Sequence, residues 1–420
     1  VLAPPALVAF RQMLKDNTVF AEEMRFSDGK LTERGVCLAL MTTWAVTLNS
    51  FFRWQSEYLS SRGYDIHWIS SSDVLFDGEA RRPRGVDVHH IPLHRRITPG
   101  SDLSTVLKLV FLLRRLRPTI IHTHTPKAGL IGMLAARLAG VPVRIFTING
   151  RPSDTAYGIT RRILLISEFI SCAFATNIMC VSRSLESIVA KSQPLLSPTK
   201  FHVIHCGSSH GVDTEKFDVK LLSPNERLNI RRKYGIEQDA VAVGFIGRLV
   251  ADKGITELAE AWNVLRAKHR SIVLLICGPE DQQRSKTPAC VQELRSFPEV
   301  IFVQERPEEM AAVYASIDIC VLPSHREGLP NVLLEAGAMS LPVVATRIPG
   351  CIDVVRHEET GLLVGVKDSR ELADALDKLI VRPDLREAYG QRARQRIKDC
   401  FSQHQFIEEL ALWYKDLLTQ

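Results

Sequence analysis

The chain lacks the marks of several large protein classes. No C-x-x-C pair occurs among its nine cysteines, which removes the commonest thiolate metal and redox signatures. The cysteines are odd in number and sit in apolar runs such as "LLICGP" and "DICVLP", so they read as reduced core thiols of a cytoplasmic protein. No apolar stretch approaches the ~20 residues that span a bilayer as a helix. The start, "VLAPPALVAFRQMLKDN", lacks the basic and then apolar layout of a secretory leader. No G-x-G-x-x-G follows a strand-like run, which counts against a nucleotide-dependent dehydrogenase. Basic residues are not interleaved with aromatics as in a nucleic-acid reader, so nucleic acid is not an expected partner.

What is present describes a large globular protein. At 420 residues, with 45% hydrophobic and 24% charged residues, the chain is long enough for two ordinary domains. Residues 1–35 are polar and read as a peripheral extension. From "VCLALMTTW" onward, apolar runs of strand length ("DIHWISS", "TIIHTHT", "VRIFTIN") alternate with helical stretches such as "KAGLIGMLAARLAG". Near-continuous apolar strands separated by helices predict a parallel sheet covered on both faces. After a polar stretch near residue 225 the rhythm restarts with "VAVGFIG", "SIVLLICG", "IDICVLP" and "LPVVAT". The expected architecture is therefore α/β, with two doubly wound domains over residues 36–225 and 226–395. A final helix, 396–420, is expected to cross back towards the first domain. Such sheets bind ligands at the carboxyl ends of their strands, so the default site is a cleft between the two domains.

The formal charge of +6 is unevenly placed, with basic residues crowding Arg81 to Arg144 and including Arg82, Arg95 and Arg96. This suits an anionic membrane surface or a phosphate-bearing substrate, and equally a solvated helix face. The segment "RRILLISEFISCAFA", led by Arg161 and Arg162, reads as a core helix in preference to a membrane-surface one. His122 and His124 stand two apart on one strand and share a face, but no third metal ligand accompanies them.

Two stretches carry candidate chemistry. In "DICVLPSHREGLPNVLLEAGAM" the interval between Glu327 and Glu335 does not make them neighbours on one helical face, which argues against a shared acid/base job. Gly328 permits a tight turn and Pro330 suits a first helical position, leaving first-turn amides as an anion site. Taken alone, Glu335 reads as an exposed helix acid. The second stretch, "VGFIGRLVADKGI", puts Arg248 and Lys253 just past a strand end, where two cations can neutralise a diphosphate or simply solvate a loop.

Together "GRLVADKG", "GPE", "YASIDICVLPSHREGLPNVLLEAGAMSLPVVAT" and "GLLV" resemble the retaining GT-B glycosyltransferases of family 4, nearest to members that extend lipid-linked or surface polysaccharides. "RPTIIHTHTPKAGLIGMLAARLAGVPVRIFTINGRP" and "HGVDTEKF" fall where that family has acceptor-domain elements, so the likeness runs from about residue 36 to the end. The resemblance implies two Rossmann-like domains facing a cleft and transfer of a hexose or N-acetylhexosamine from a UDP-sugar to a lipid-linked or polysaccharide acceptor. It places the enzyme in the cytoplasm, in peripheral contact with the inner face of the membrane. Glu327 would lie by the donor sugar's hydroxyls and Glu335 would accept from the ribose hydroxyls. Arg248 and Lys253 would hold the diphosphate, with Gly247 and the amides of Gly328, Leu329 and Asn331 completing the donor site. Asn149, Gly150, His124 and Lys127 would form the acceptor side, Lys127 facing an acceptor phosphate. No D-x-D occurs, so no metal or other cofactor is expected, the two cations taking the metal's place.

Two departures stand out. "MTTWAVTLNSFF" replaces the Gly-rich loop of many members, and Asn149 stands where many have a His. An amide can hydrogen-bond a sugar hydroxyl but cannot titrate near neutral pH. The alternatives are a GT-B sugar-nucleotide epimerase or hydrolase, which would form product without an acceptor, and a non-catalytic nucleotide-binding module.

Overall fold

A computed structural model of the protein describes residues 35–72, 83–93, 99–280, 288–306 and 309–419. Residues 1–34 of the expected extension, and Arg81, Arg82, Arg95 and Arg96 of the basic crowd, lie outside the described residues.

Two parallel sheets form. The first holds β1 (Cys37–Trp44), β2 (Asp65–Ser71), β3 (Val86–His90), β4 (Ile120–His124), β5 (Val143–Ile148), β6 (Asn177–Cys180) and β7 (Phe201–His202), in the order β3-β2-β1-β4-β5-β6-β7. The second holds β8 (Val241–Ile246), β9 (Ile272–Cys277), β10 (Val300–Val303), β11 (Ile319–Leu322), β12 (Val343–Thr346) and β13 (Gly361–Val364), in the order β10-β9-β8-β11-β12-β13. In both, strand order reverses beside the first strand, which opens a crevice at β1/β4 and at β8/β11.

Alternation along each strand divides the core in two. Leu38 and Leu40 point to one face of β1, with Phe52, Phe406 and Leu410, while Ala39 and Met41 point to the other, with Leu109, Ile131 and Cys180. Helices cover both faces, as the unbroken apolar strands require. Those needed below are α1 (Arg53–Ser61), α2 (Pro99–Leu116), α3 (Pro126–Ala139) and α4 (Gly158–Phe174) in the first domain, α5 (Met310–Ser316), α6 (Asn331–Ala338) and α7 (Pro383–Cys400) in the second, and α8 (Gln403–Thr419).

The chain crosses between domains at two adjacent points. Val212 donates its amide to Phe401 O (2.9 Å), and Gln403 donates to Val212 O (2.9 Å). The expected terminal helix is thus two. Ile397 of α7 lies in a core of the second sheet, whereas Phe406, Ile407, Leu410 and Tyr414 of α8 lie in a core of the first. In place of a Gly-rich loop after β1, the helical turn Ala45–Thr47 runs straight into the π-helical segment Leu48–Phe52.

Candidate active site

The loops that follow β8 and β11 are woven together at the second crevice. Gly254, at φ +72°, lies so close to the end of β11 that a Cβ would stand 2.0 Å from Pro323 O, so only glycine serves there. His325 donates its amide to Asp252 O (2.9 Å), and the Arg326 guanidinium donates to Asp252 Oδ2 (2.9 Å). This sets Lys253, in the turn Ala251–Lys253, against the second loop: its Nζ donates to Glu327 Oε1 at 2.5 Å, and the Ser324 hydroxyl donates to the same oxygen at 2.8 Å. Gly247 and Arg248 begin the first loop, and the Arg248 carbonyl accepts from Val250 N (2.9 Å).

Helix α6 begins one residue later than expected. Pro330 is its N-cap, in an extended conformation with no side-chain cap, and Asn331 is its first residue. An uncapped helix start of this kind offers amides and the positive end of the helix dipole to an anion. The preceding turn touches the first domain. A Cβ on Gly328 would stand 2.0 Å from Asn149 O, and the Ser182 hydroxyl donates to Gly328 O (2.8 Å). Leu329 packs into cores of both domains.

Glu335 is not the exposed helix acid that its own stretch suggests. Its Oε2 accepts a hydrogen bond from the Tyr314 hydroxyl on α5 (2.7 Å). Burial pushes its carboxyl up to about 7, against the opposing pull of the Tyr314 hydrogen bond and the Lys216 charge. Tyr314 was present in the quoted motif, yet nothing local to it marks a carboxylate partner across the fold.

Of the residues expected on the acceptor side, Asn149 is exposed, and Gly150 lies opposite the Gly328 amide. His124, by contrast, is not a polar strand end facing a ligand. It is 1% exposed, stacked on His122 (4.2 Å between centroids) and tilted against Phe52 (4.3 Å), and neither ring nitrogen has a hydrogen-bond partner among the described residues. Burial holds it well below the ordinary imidazole range. His122 is fixed by the Tyr414 hydroxyl on Nδ1 and by Thr147 on Nε2, both at 2.5 Å, and burial pushes it down to about 3. Lys127 does not stand ready for a phosphate: its ammonium pairs with Asp102 at 2.5 Å.

Other residues border the crevice near Asn149. His210 faces Asn331 across the domains (Nε2 to Nδ2, 3.3 Å) and packs against Phe51, and burial pushes it down to about 4. A cavity of about 220 Å³ opens beside Asn149 and Gly150, with Ser153, Glu168 and, from the second domain, Arg326 in its wall. The Ser153 hydroxyl is buried and has no hydrogen-bond partner among the described residues. Helix α4 forms one wall through Leu164 and Ser167, but it is not the core helix expected. Its far side leaves Ile159, Ile163 and Ile166 exposed beside Arg161 and Arg162.

Residues 226–396 match the family described as glycosyl transferases group 1, and residues 55–216 match glycosyltransferase family 4. The chain is 33% identical over 369 residues to the capsular polysaccharide biosynthesis glycosyltransferase CapM of Staphylococcus aureus, covering 88% of this chain and 94% of that one. It belongs to the family 4 glycosyltransferases. An Escherichia coli relative, UDP-Gal:alpha-D-GlcNAc-diphosphoundecaprenol alpha-1,3-galactosyltransferase, is 25% identical over 372 residues, 86% of this chain and 92% of that one. Among solved structures, Anabaena Alr3699/HepE in complex with UDP-glucose shares the GT-B fold, with a TM-score of 0.73 and 18% identity over 90% of this chain and 99% of that one. In this family 4 glycosyltransferase the Lys253–Glu327 pair lies within the first matched segment and Asn149 within the second, so the crevice where Gly328 meets Asn149 joins the two.

Proposed function

We propose that the protein is a retaining, metal-independent glycosyltransferase that moves a hexosyl or N-acetylhexosaminyl group from a UDP-sugar to a lipid-diphosphate-linked glycan during surface polysaccharide synthesis. The observation that carries this reading is the Lys253–Glu327 pair beside the uncapped start of α6, within contact of the first-domain loop at Asn149. A diphosphate at that helix start meets amides of Leu329 and Asn331, with Arg248 and Lys253 supplying the positive charge that a divalent ion would otherwise bring. Diphosphate binding draws Lys253 from Glu327, and the released carboxylate then takes hydroxyls of the donor sugar. Glu335 accepts from the ribose.

The acceptor glycan enters the cavity lined by Ser153, Asn149 and Arg326. Its hydroxyl attacks the anomeric carbon from the face on which the diphosphate departs, and the departing phosphate oxygen takes the proton, so configuration is retained. This route suits a crevice in which burial lowers the basicity of His122, His124 and His210, so that none of these three competes for the proton.

A membrane-borne acceptor fits the outer helices of the first domain. Helices α2 and α4 both pack on α3, and along their outward sides lie Leu103, Leu107 and Phe111 on α2 and Ile159 and Ile166 on α4. Lys108, Arg161 and Arg162 border them, the arrangement of a surface that rests in anionic headgroups. The galactosyltransferase relative's name, with its diphosphoundecaprenol-linked acceptor, supports a lipid-linked substrate, and CapM's supports a part in surface polysaccharide synthesis.

The deciding experiment offers a panel of nucleotide sugars with and without lipid-diphosphate-linked glycans and follows products by mass spectrometry. One UDP-sugar is expected to transfer, and only with acceptor present. Turnover of the nucleotide sugar at equal rate without acceptor would assign an epimerase or hydrolase instead.

A further inference from the structure

At the opposite end of the first sheet from the crevice, three side chains of metal-ligating type meet. Parallel register sets Cys37 of β1 beside Asp65 of β2, and His67 follows two residues on, so all three project from one face of the sheet. One ligand atom from each, the Cys37 sulfur, an Asp65 oxygen and a His67 nitrogen, lies within 4.8 Å of the others. His67 Nε2 is 3.3 Å from Asp65 Oδ2. These residues sit on rigid strands, so the grouping is built into the sheet and does not depend on a loop.

The other side of the His67 ring is also furnished. His89 Nε2 lies 3.1 Å from His67 Nδ1, and Asp87 Oδ2 lies 3.7 Å from it, both from β3. An acceptor behind a ligating imidazole holds the proton on that side and leaves the other nitrogen for the metal, and His89 is such an acceptor in the tautomer whose Nε2 carries the lone pair. With the proton on Nδ1, the Nε2 lone pair faces the Asp65 carboxylate with no hydrogen between them, and a cation relieves that opposition. A sulfur, a nitrogen and an oxygen ligand in a compact set favour zinc over magnesium or calcium, which take oxygen almost alone.

We propose that Cys37, Asp65 and His67 bind one zinc ion, with water in a fourth position and His89 and Asp87 holding the His67 ring. Binding forms Zn–S, Zn–N and Zn–O bonds, and the thiol proton leaves to solvent. Tetrahedral zinc at bonds of about 2.0–2.3 Å requires ligand atoms about 3.3–3.8 Å apart; the Asp65–His67 pair stands at 3.3 Å, and the set as a whole, within 4.8 Å, closes on the ion by small rotations of the three side chains. The site lies at the amino end of β1, about 20 Å along the strand from the crevice at ~3.3 Å per residue, so it braces β1 against β2 and takes no part in transfer.

Cobalt(II) titration of the metal-stripped full chain, monitored by absorption, tests this. A thiolate-to-cobalt charge-transfer band with one-to-one stoichiometry, displaced by zinc, is expected for the wild type and lost in Cys37→Ser. His67→Gln should weaken zinc binding at least tenfold. His89→Ala should weaken it about 10- to 100-fold while keeping the charge-transfer band, because the ligand set is intact. A wild-type titration without that band, a band that survives in Cys37→Ser, or equal zinc affinity in wild type and His67→Gln overturns the assignment. Should Cys37→Ser not fold, the His67→Gln and His89→Ala titrations decide it between them.

Discussion

Replacing Glu335 by glutamine separates a binding group from a structural one, because the two readings predict opposite consequences. The carboxyl stands near 7 where an ordinary glutamate stands at 4.5. The folded protein therefore keeps a proton that the unfolded chain has lost between pH 4.5 and 7. Stability falls as pH rises through that window, and above 7 the whole cost is present, about 3 kcal/mol for a displacement of this size. The substituted amide carries no charge and still accepts from Tyr314, so Glu335→Gln should melt at higher temperature than wild type at pH 8 and equally at pH 4.5. Donor binding should move the other way. If the ribose requires the carboxylate, UDP affinity follows the ionised fraction and drops about tenfold between pH 8 and pH 6, which is about 1.4 kcal/mol. Calorimetric titration of UDP across that range should give a sloping profile for wild type and a weak, flat one for Glu335→Gln. Tyr314→Phe removes a bond that stabilises the carboxylate, so its midpoint should lie at higher pH. Wild-type affinity that is flat from pH 6 to 8, or undiminished in Glu335→Gln, would refute the ribose contact.

Lys253→Ala should lower kcat by about 10²- to 10³-fold, the usual loss of one charge-stabilising group, in assays with the identified UDP-sugar. Because Lys253 and Glu327 touch, the double alanine variant should lose less than the product of the single losses, whereas simple multiplication would mean that the pair does not act together. Excess EDTA should leave the donor KM unchanged and added magnesium should not lower it; restoration of activity by magnesium would return the diphosphate to a metal. Phe111→Ser combined with Ile166→Ser should weaken flotation with anionic phospholipid vesicles at least tenfold without altering UDP affinity, since each side chain is worth about 1.5–3 kcal/mol on burial. Equal flotation would move the membrane contact elsewhere.

Both sheets were legible because parallel strands covered on both faces are mostly apolar, as the runs "VCLALM" and "VAVGFIG" are. The meeting of "GRLVADKG" with "HREGLPN" was legible because strand-end loops at one crevice converge whatever their separation in sequence. The neighbours of individual side chains were not. Glu335 reaches Tyr314 across 21 residues, and Lys127 reaches Asp102 across 25, through packing of different helices that no local spacing records. His122 and His124 shared a face as expected, but alternation cannot tell a strand end that opens on a cleft from one that Phe52 and α8 cover. The outward face of α4 was hidden for a related reason: isoleucines at helical spacing look alike whether they meet a sheet or solvent.

Helices α7 and α8 part company at Ser402, beside Val212. Measured along the gene, then, the second domain is one uninterrupted insert, and both of its junctions fall at a single place on the host. Residues 213–401 could be exchanged as a cassette for the matching span of a relative, rejoined at Val212 and Ser402 without rerouting any strand of the host sheet. Tyr414, anchored on His122, would stay behind with the host. Nucleotide preference would travel with the cassette and glycan preference would not, so chimaeras made at this seam can ask separately which half chooses which substrate.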